Sequence, residues 1–220
     1  MTSSIHIEVL ATRGDRIALS RGAWIGSGGD IGPSEVAWLT ITETDDCGEA
    51  AAVVAFDPED LDAAYAELDH RYAAGEVAAH GQVTVAMAAF VRAIAARDWD
   101  AMSALLSPDL VVTDHRSLGW ETLHGPATYV ESLKSLVDLA PDVRLRNDHM
   151  SLSGRAALFV NTLVGTREGG AFEAPRAVVF AFDADGRIRS MDFYDPEQLA
   201  EARARFEELR PHPARARSSV

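Results

Sequence analysis

The chain has 220 residues, 47 % of them hydrophobic, one cysteine and a formal charge of −14. That length and apolar share suffice for one large core or two small ones, but no apolar run approaches the ~18 residues a bilayer crossing needs. The acidic balance repels phosphate backbones, so neither nucleic acid nor membrane is an expected partner.

A lone Cys47 leaves no partner for an internal disulfide, and the start MTSSIHIEV lacks the basic and apolar stretch of a secretory leader. Both features predict a cytoplasmic chain.

In chain order, residues 5 to 72 predict four strands and a helix. Gly26-Ser27-Gly28-Gly29 lies in a hairpin connection, and Asp57-Pro58 reads as an N-cap followed by proline at the first helical position. Leu61, Ala64 and Leu68 then make one apolar stripe. Small residues from Ala73 to Gly81 read as a linker. Beyond it Met87, Phe90, Val91 and Ile94 share one helical face, and Trp99, Met102, Leu105 and Leu106 another after a break at Arg97-Asp98. A strand over Leu110–His115 follows, then a third helix opened by Gly125-Pro126 with Tyr129, Leu133, Leu136 and Ala140 on one side.

Four more strands come next: Val143 to Leu152, Arg155 to Thr166, Phe172 to Phe182 and Arg187 to Tyr194. Turn signals at Ser153-Gly154 and Asp183-Ala184-Asp185-Gly186 join two pairs of them. Asp195-Pro196 opens a last helix with Leu199, Ala202, Phe206 and Leu209 in one stripe.

The chain contains an internal repeat. Phe56-Asp57-Pro58-Glu59-Asp60-Leu61 recurs as Tyr194-Asp195-Pro196-Glu197-Gln198-Leu199, and Arg16-Ile17-Ala18-Leu19 as Arg155-Ala156-Ala157-Leu158. The expected organisation is α+β: a truncated half-repeat of four strands and a helix over residues 1–80, a complete domain over 84–210, and a disordered tail over 211–220.

Three stretches carry a family resemblance: Ala93-Ile94-Ala95-Ala96-Arg97-Asp98-Trp99-Asp100-Ala101-Met102, Ser107-Pro108-Asp109 running into Val112-Thr113-Asp114-His115, and His124-Gly125-Pro126. With the hairpin Asp183 to Met191, they make residues 84–210 resemble the NTF2-like superfamily, in its SnoaL-like and ketosteroid-isomerase-like branches. The resemblance implies a cone: a curved antiparallel sheet whose covering helices close a mostly apolar pocket for a small apolar molecule, with no cofactor. It also implies sheet-to-sheet dimerisation, so the first copy is expected to replace a partner as an internal pseudo-dimer, with a homodimer left open. The alternative is a repeat whose covering helices preceded residue 1.

Asp114 matches the general base of the isomerases, and a carboxylate in an apolar cone suits proton abstraction. Its plainer reading is a strand-end Asp capping a turn. The isomerases' two oxyanion donors are replaced by Phe90 and Val178, which argues for a different reaction. Asn147 and His149 alternate with Val143 and Leu145, making a polar pair on an apolar wall. His149 is thus a candidate acid or orienting partner, or else an ordinary core histidine.

Asn161, Tyr129, Tyr194 and Asp192 are candidate binding groups, with His115, Arg116 and Trp120 on the rim. Arg176 is placed on the outer face of the sheet. Trp24 and Trp38 are expected to pack between sheets. No metal-ligand spacing or phosphate loop occurs. Two functions therefore stand: a cofactor-independent enzyme for cyclisation, isomerisation, dehydration or epoxide opening, and a non-catalytic ligand-binding or interaction module.

Overall fold

The computed structural model describes residues 2–28, 31–75, 77–119 and 121–210. Trp120 and the predicted tail at 211–220 lie outside them. The chain divides into two compact units, Met1–Ala79 with Asp148–Ser151, and His80–Asn147 with Leu152–Val220. Among the described residues no helix is long and apolar enough to cross a membrane.

Unit 1 is an antiparallel meander of β1 (Thr2–Arg13), β2 (Ile17–Gly28), β3 (Ile31–Thr44) and β4 (Ala50–Phe56), followed by α1 (Leu61–Ala74). Directly opposed residues of an antiparallel ladder share a face, so the registers sort the side chains. On one face Ala11, Ile17, Leu19, Leu39 and Ile41 are buried against Ala64, Leu68 and Tyr72 of α1, which recur every four residues. Arg13 is buried on this face too, its Nε donating to Asp69 Oδ1 of α1 at 2.6 Å. Residues 148–151 extend the sheet beyond β1 in parallel, with Thr12 opposite His149.

The other face has a different chemistry. Ile5 opposes Trp24, which opposes Val36; Ile7 opposes Gly22, which opposes Trp38. Val9, Thr42 and Val53 continue the same face, and among the described residues no charged one falls on it. Ile5, Ile7, Val9, Val36 and Val53 are all exposed. The Trp38 indole occupies the space a Cβ on Gly22 would take, and Trp24 does the same over Gly26, so both tryptophans lie along their own sheet.

Unit 2 contains all but the first three residues of α2 (Val77–Ala96), then α3 (Trp99–Ala104), β5 (Leu106–Asp114), β6 (Leu123–His124), α4 (Pro126–Leu139), β7 (Arg144–Leu152), β8 (Ala156–Arg167), β9 (Gly170–Phe182), β10 (Ile188–Tyr194) and α5 (Leu199–Leu209). Strand β7 contributes residues 148–151 to unit 1 and the rest here. The sheet runs β7-β8-β9-β10-β5-β6, with β10 and β5 parallel. This unclosed sheet with its helices is the mixed α+β arrangement expected. On its inner face Phe90 of α2 meets Phe180 edge-on at 5.8 Å, and Phe159 meets Phe180 at 5.7 Å. On its outer face Ala156, Leu158, Ala177, Val179 and Tyr194 pack with Ala202 and Phe206 of α5.

Several boundaries differ from the sequence reading. The expected linker is largely helical, because α2 begins at Val77 and kinks at Gly81, where φ 50 and ψ −115 suit a residue without Cβ. Helix α1 starts at Leu61 with Asp60 before it, not at Pro58; Asp57 instead closes a turn by accepting from Asp60 N–H at 3.0 Å. Leu106 opens β5 rather than continuing a helix. Asp195 does cap, in a reciprocal box with Gln198, but the first turn is 3-10 before α5 begins.

Candidate functional site

The pocket of unit 2 lies between α2, α4 and the inner face of the sheet, with an empty space of about 560 Å³ including its open mouth. Phe90 and Ile94 of α2, Leu133 and Leu136 of α4, and Val178 and Phe180 of β9 give it apolar walls. Gly125 starts α4 with φ 79 and Pro126 stands at the first helical position, which sets the helix over the sheet with Tyr129 turned inward.

Three polar side chains are buried in these walls. Asn161 on β8 and Arg176 on β9 are ladder partners, and Arg176 Nε–H donates to Asn161 Oδ1 at 3.0 Å. The guanidinium also lies 5.1 Å from the centre of the Phe193 ring. Burial lowers the Arg176 pKa to about 10, with the neighbouring Arg116 charge acting in the same direction while Tyr129 and Asp114 oppose it. Tyr129 is pushed up to about 12, chiefly by burial, with the Arg176 charge pulling the other way. Its phenol therefore keeps its proton near neutral pH and is able to donate a hydrogen bond. Arg97, half-buried, and Arg144, exposed, also border the pocket, and none of the residues lining it is Asp or Glu.

Arg176 is thus a correction to the outer-face placement. The sequence held the signal: Val178 was assigned inward, and strand alternation puts residue 176 on the same side. Arg97 was read only as part of a helix break. Its guanidinium in fact folds back on the Val143 and Ile94 carbonyls at the end of α2.

Asp114 shares the inner face, in register with Phe193 of β10. Its side chain is 1 % exposed. Arg116 grips it from two residues on, Nε to Oδ1 at 2.8 Å and Nη2 to Oδ2 at 2.7 Å, while Arg116 N–H donates to Oδ1 at 3.1 Å. The carboxylate raises the Arg116 pKa. Gly119 closes over it, since a Cβ there would stand 2.6 Å from the Asp114 Cγ. Arg116 also sits 5.6 Å from the Phe193 ring centre, so that ring lies near both guanidiniums.

The other candidates gather elsewhere. His115 Nε2 is 3.2 Å from Asp192 Oδ1, and its ring stacks on Tyr194 at 4.7 Å. Asp192 Oδ2 accepts from Arg205 Nε at 3.2 Å. Tyr194 is raised to about 12, first by burial and then by the Asp192 charge. Because Phe193 faces the pocket, Asp192 and Tyr194 face α5. Asn147 is half-buried on β7 and does not line the pocket. His149 belongs to unit 1, where Nδ1 is 3.0 Å from Thr12 Oγ1. Among the described residues no three His, Cys, Asp or Glu side chains gather as a metal site would require.

Residues 87–191, which supply every pocket-lining group above except Phe193, match the family described as SnoaL-like domain. Unit 2 carries a SnoaL-like domain. No curated protein matches the chain. Among solved structures, the SnoaL-like domain is similar to a protein with a ketosteroid isomerase-like fold from Catenulispora acidiphila, in complex with trimethylamine, at 18 % identity over 50 % of this chain and 83 % of that one, TM-score 0.44. RV0760c from Mycobacterium tuberculosis, in complex with estradiol-17beta-hemisuccinate, is 17 % identical over 51 % and 92 %, TM-score 0.43. An LEH-like epoxide hydrolase from M. tuberculosis is 22 % identical over 58 % and 92 %, TM-score 0.43.

Proposed function

We propose that the SnoaL-like domain is a cofactor-independent enzyme for acid/base chemistry on a small, predominantly apolar molecule: cyclisation, isomerisation, dehydration or epoxide opening. One observation carries the reading. An apolar pocket holds a neutral phenol, Tyr129, beside the buried Arg176–Asn161 pair, which is a set of donors suited to an oxygen that gains negative charge during reaction. In such a reaction a base removes a proton from carbon or hydroxyl while Tyr129 returns one to oxygen, so no electrons leave the substrate.

Asp114 is the proposed base, on the same sheet face and next to Phe193 of the pocket wall. It reaches a ligand once the Arg116–Gly119 turn lifts from it. A second reading, ligand binding without turnover, is favoured by that same grip of Arg116 on a sealed carboxylate. Turnover of a panel of epoxides and 1,3-dicarbonyl compounds by the intact chain separates the two. As a positioned base, Asp114→Asn loses ~10²–10⁴-fold in rate. Unchanged turnover by that variant removes Asp114 from the reaction, and binding without turnover by the wild type supports the second reading.

Unit 1 we infer to be a shortened copy of the sheet half of unit 2. In support, both have four consecutive antiparallel strands followed by a helix entered through Asp-Pro-Glu. In both, the helix packs against the face carrying the repeated leucine, Leu19 under α1 and Leu158 under α5.

A further inference from the structure

We propose that the pocket of unit 2 takes an apolar organic acid and that Arg176 receives its carboxylate. The inference rests on reading the pocket as a ligand site and adds the charge of what enters it.

Arg176 is 8 % exposed, and Nε is committed to Asn161. Among the described residues its two terminal amino groups have no acceptor. A guanidinium largely withdrawn from water with no carboxylate hydrogen-bonded to it is costly, and proteins ordinarily pair such a group. The nearest carboxylate on this face, Asp114, is held at both oxygens by Arg116. It neutralises that arginine and makes no hydrogen bond to Arg176.

The wider lining points the same way. The chain carries 34 acidic residues against 20 lysines and arginines, yet none of the residues lining this pocket is an acid, Arg176 is buried among them and the half-buried Arg97 borders it. A cationic concavity inside an acidic protein selects for negative charge in its occupant. Around the guanidinium the walls are aromatic and aliphatic, which suits a ligand with an apolar body and one anionic end. The planar fork of arginine matches a carboxylate, whose two oxygens accept in parallel. A phosphate, with more charge and more oxygens to satisfy, would need a second buried cation, and among the described residues lining the pocket Arg176 is the one that is buried.

Calorimetric titration of the intact chain tests this with two matched pairs: 2-naphthoate against 2-naphthamide, and 4-phenylbutyrate against its amide. Each acid is expected to bind on the order of tenfold or more tightly than its amide. Arg176→Met should abolish that preference while amide binding persists, and Arg176→Lys should retain part of it. Where Arg176→Met fails to fold by circular dichroism, Asn161→Asp replaces it. That variant sets a carboxylate against Arg176 and should also erase the preference. Equal affinity of acid and amide for the wild type overturns the inference and leaves the pocket reading standing. No binding of either member of both pairs overturns the two together. A preference that survives in the variants assigns the anion to another group and overturns the role of Arg176.

Discussion

Arg176 and Asn161 face each other across the β8–β9 ladder, joined by a 3.0 Å hydrogen bond from Nε to the amide oxygen. Replacing Asn161 with leucine keeps the volume and removes the only acceptor that bond has. The expected cost is about 1–3 kcal/mol, because a buried charged donor is left unsatisfied. Urea unfolding of Asn161→Leu measures it, and a loss below a few tenths would mean water reaches Arg176 freely.

Tyr129 makes stability depend on alkaline pH. Its pKa is about 12 in the fold against 10.0 for the free phenol. Below pH 10 both states are protonated and its contribution is fully present. Between 10 and 12 the unfolded chain releases a proton that the folded chain keeps, so stability falls as pH rises. Two units correspond to roughly 3 kcal/mol at most. The difference in unfolding free energy between wild type and Tyr129→Phe, followed from pH 8 to 11.5, should narrow by a sizeable part of that amount. A flat difference would place the phenol in solvent.

Removing the Arg116 side chain takes two charged donors from a carboxylate that is 1 % exposed. Arg116→Ala should cost roughly 2–3 kcal/mol, below the range for a fully buried pair because about a fifth of the Arg116 side chain remains in solvent. Gly119→Ala attacks the same arrangement from the loop, by placing a methyl group against the Asp114 carboxylate. Thermal unfolding should show both variants destabilised. Proteolysis between residues 115 and 121 should quicken in Gly119→Ala.

The charge-free face of unit 1 yields a change with little stability cost. Ile7 is 70 % exposed, so Ile7→Glu should alter unfolding free energy by no more than about 0.5 kcal/mol. It should nonetheless reduce the fluorescence of an apolar dye bound to the chain. A large loss of stability would show that Ile7 is covered in solution.

The parts legible in the sequence are those governed by local chemistry. Gly186 sits at φ 78 in the predicted turn, where Asp183 accepts from the Asp185 and Arg187 amides. The Gly125-Pro126 start of α4 and the alternation that turns Asn161 inward were readable for the same reason. The rest depends on contacts made at a distance. Nothing in Asp114-His115-Arg116 says that the arginine will fold back on the aspartate rather than reach solvent. Equally, the alternation that set His149 beside Asn147 could not tell that residues 148–151 group with a strand over 130 positions earlier, where Thr12 meets the imidazole. Arg176 was legible in principle. What pulls the other way is its charge, since buried arginines are uncommon.

A buried Arg176 within a chain of net charge −14 sets near and far fields against each other. An anion approaching through solvent meets repulsion, which dissolved ions screen within ~10 Å at 0.1 M ionic strength. Once seated, it lies among apolar walls where that screening is weak. Added salt should therefore speed the entry of a carboxylic acid while leaving its escape nearly unchanged, so that affinity rises with ionic strength, opposite to the usual behaviour of an ion pair.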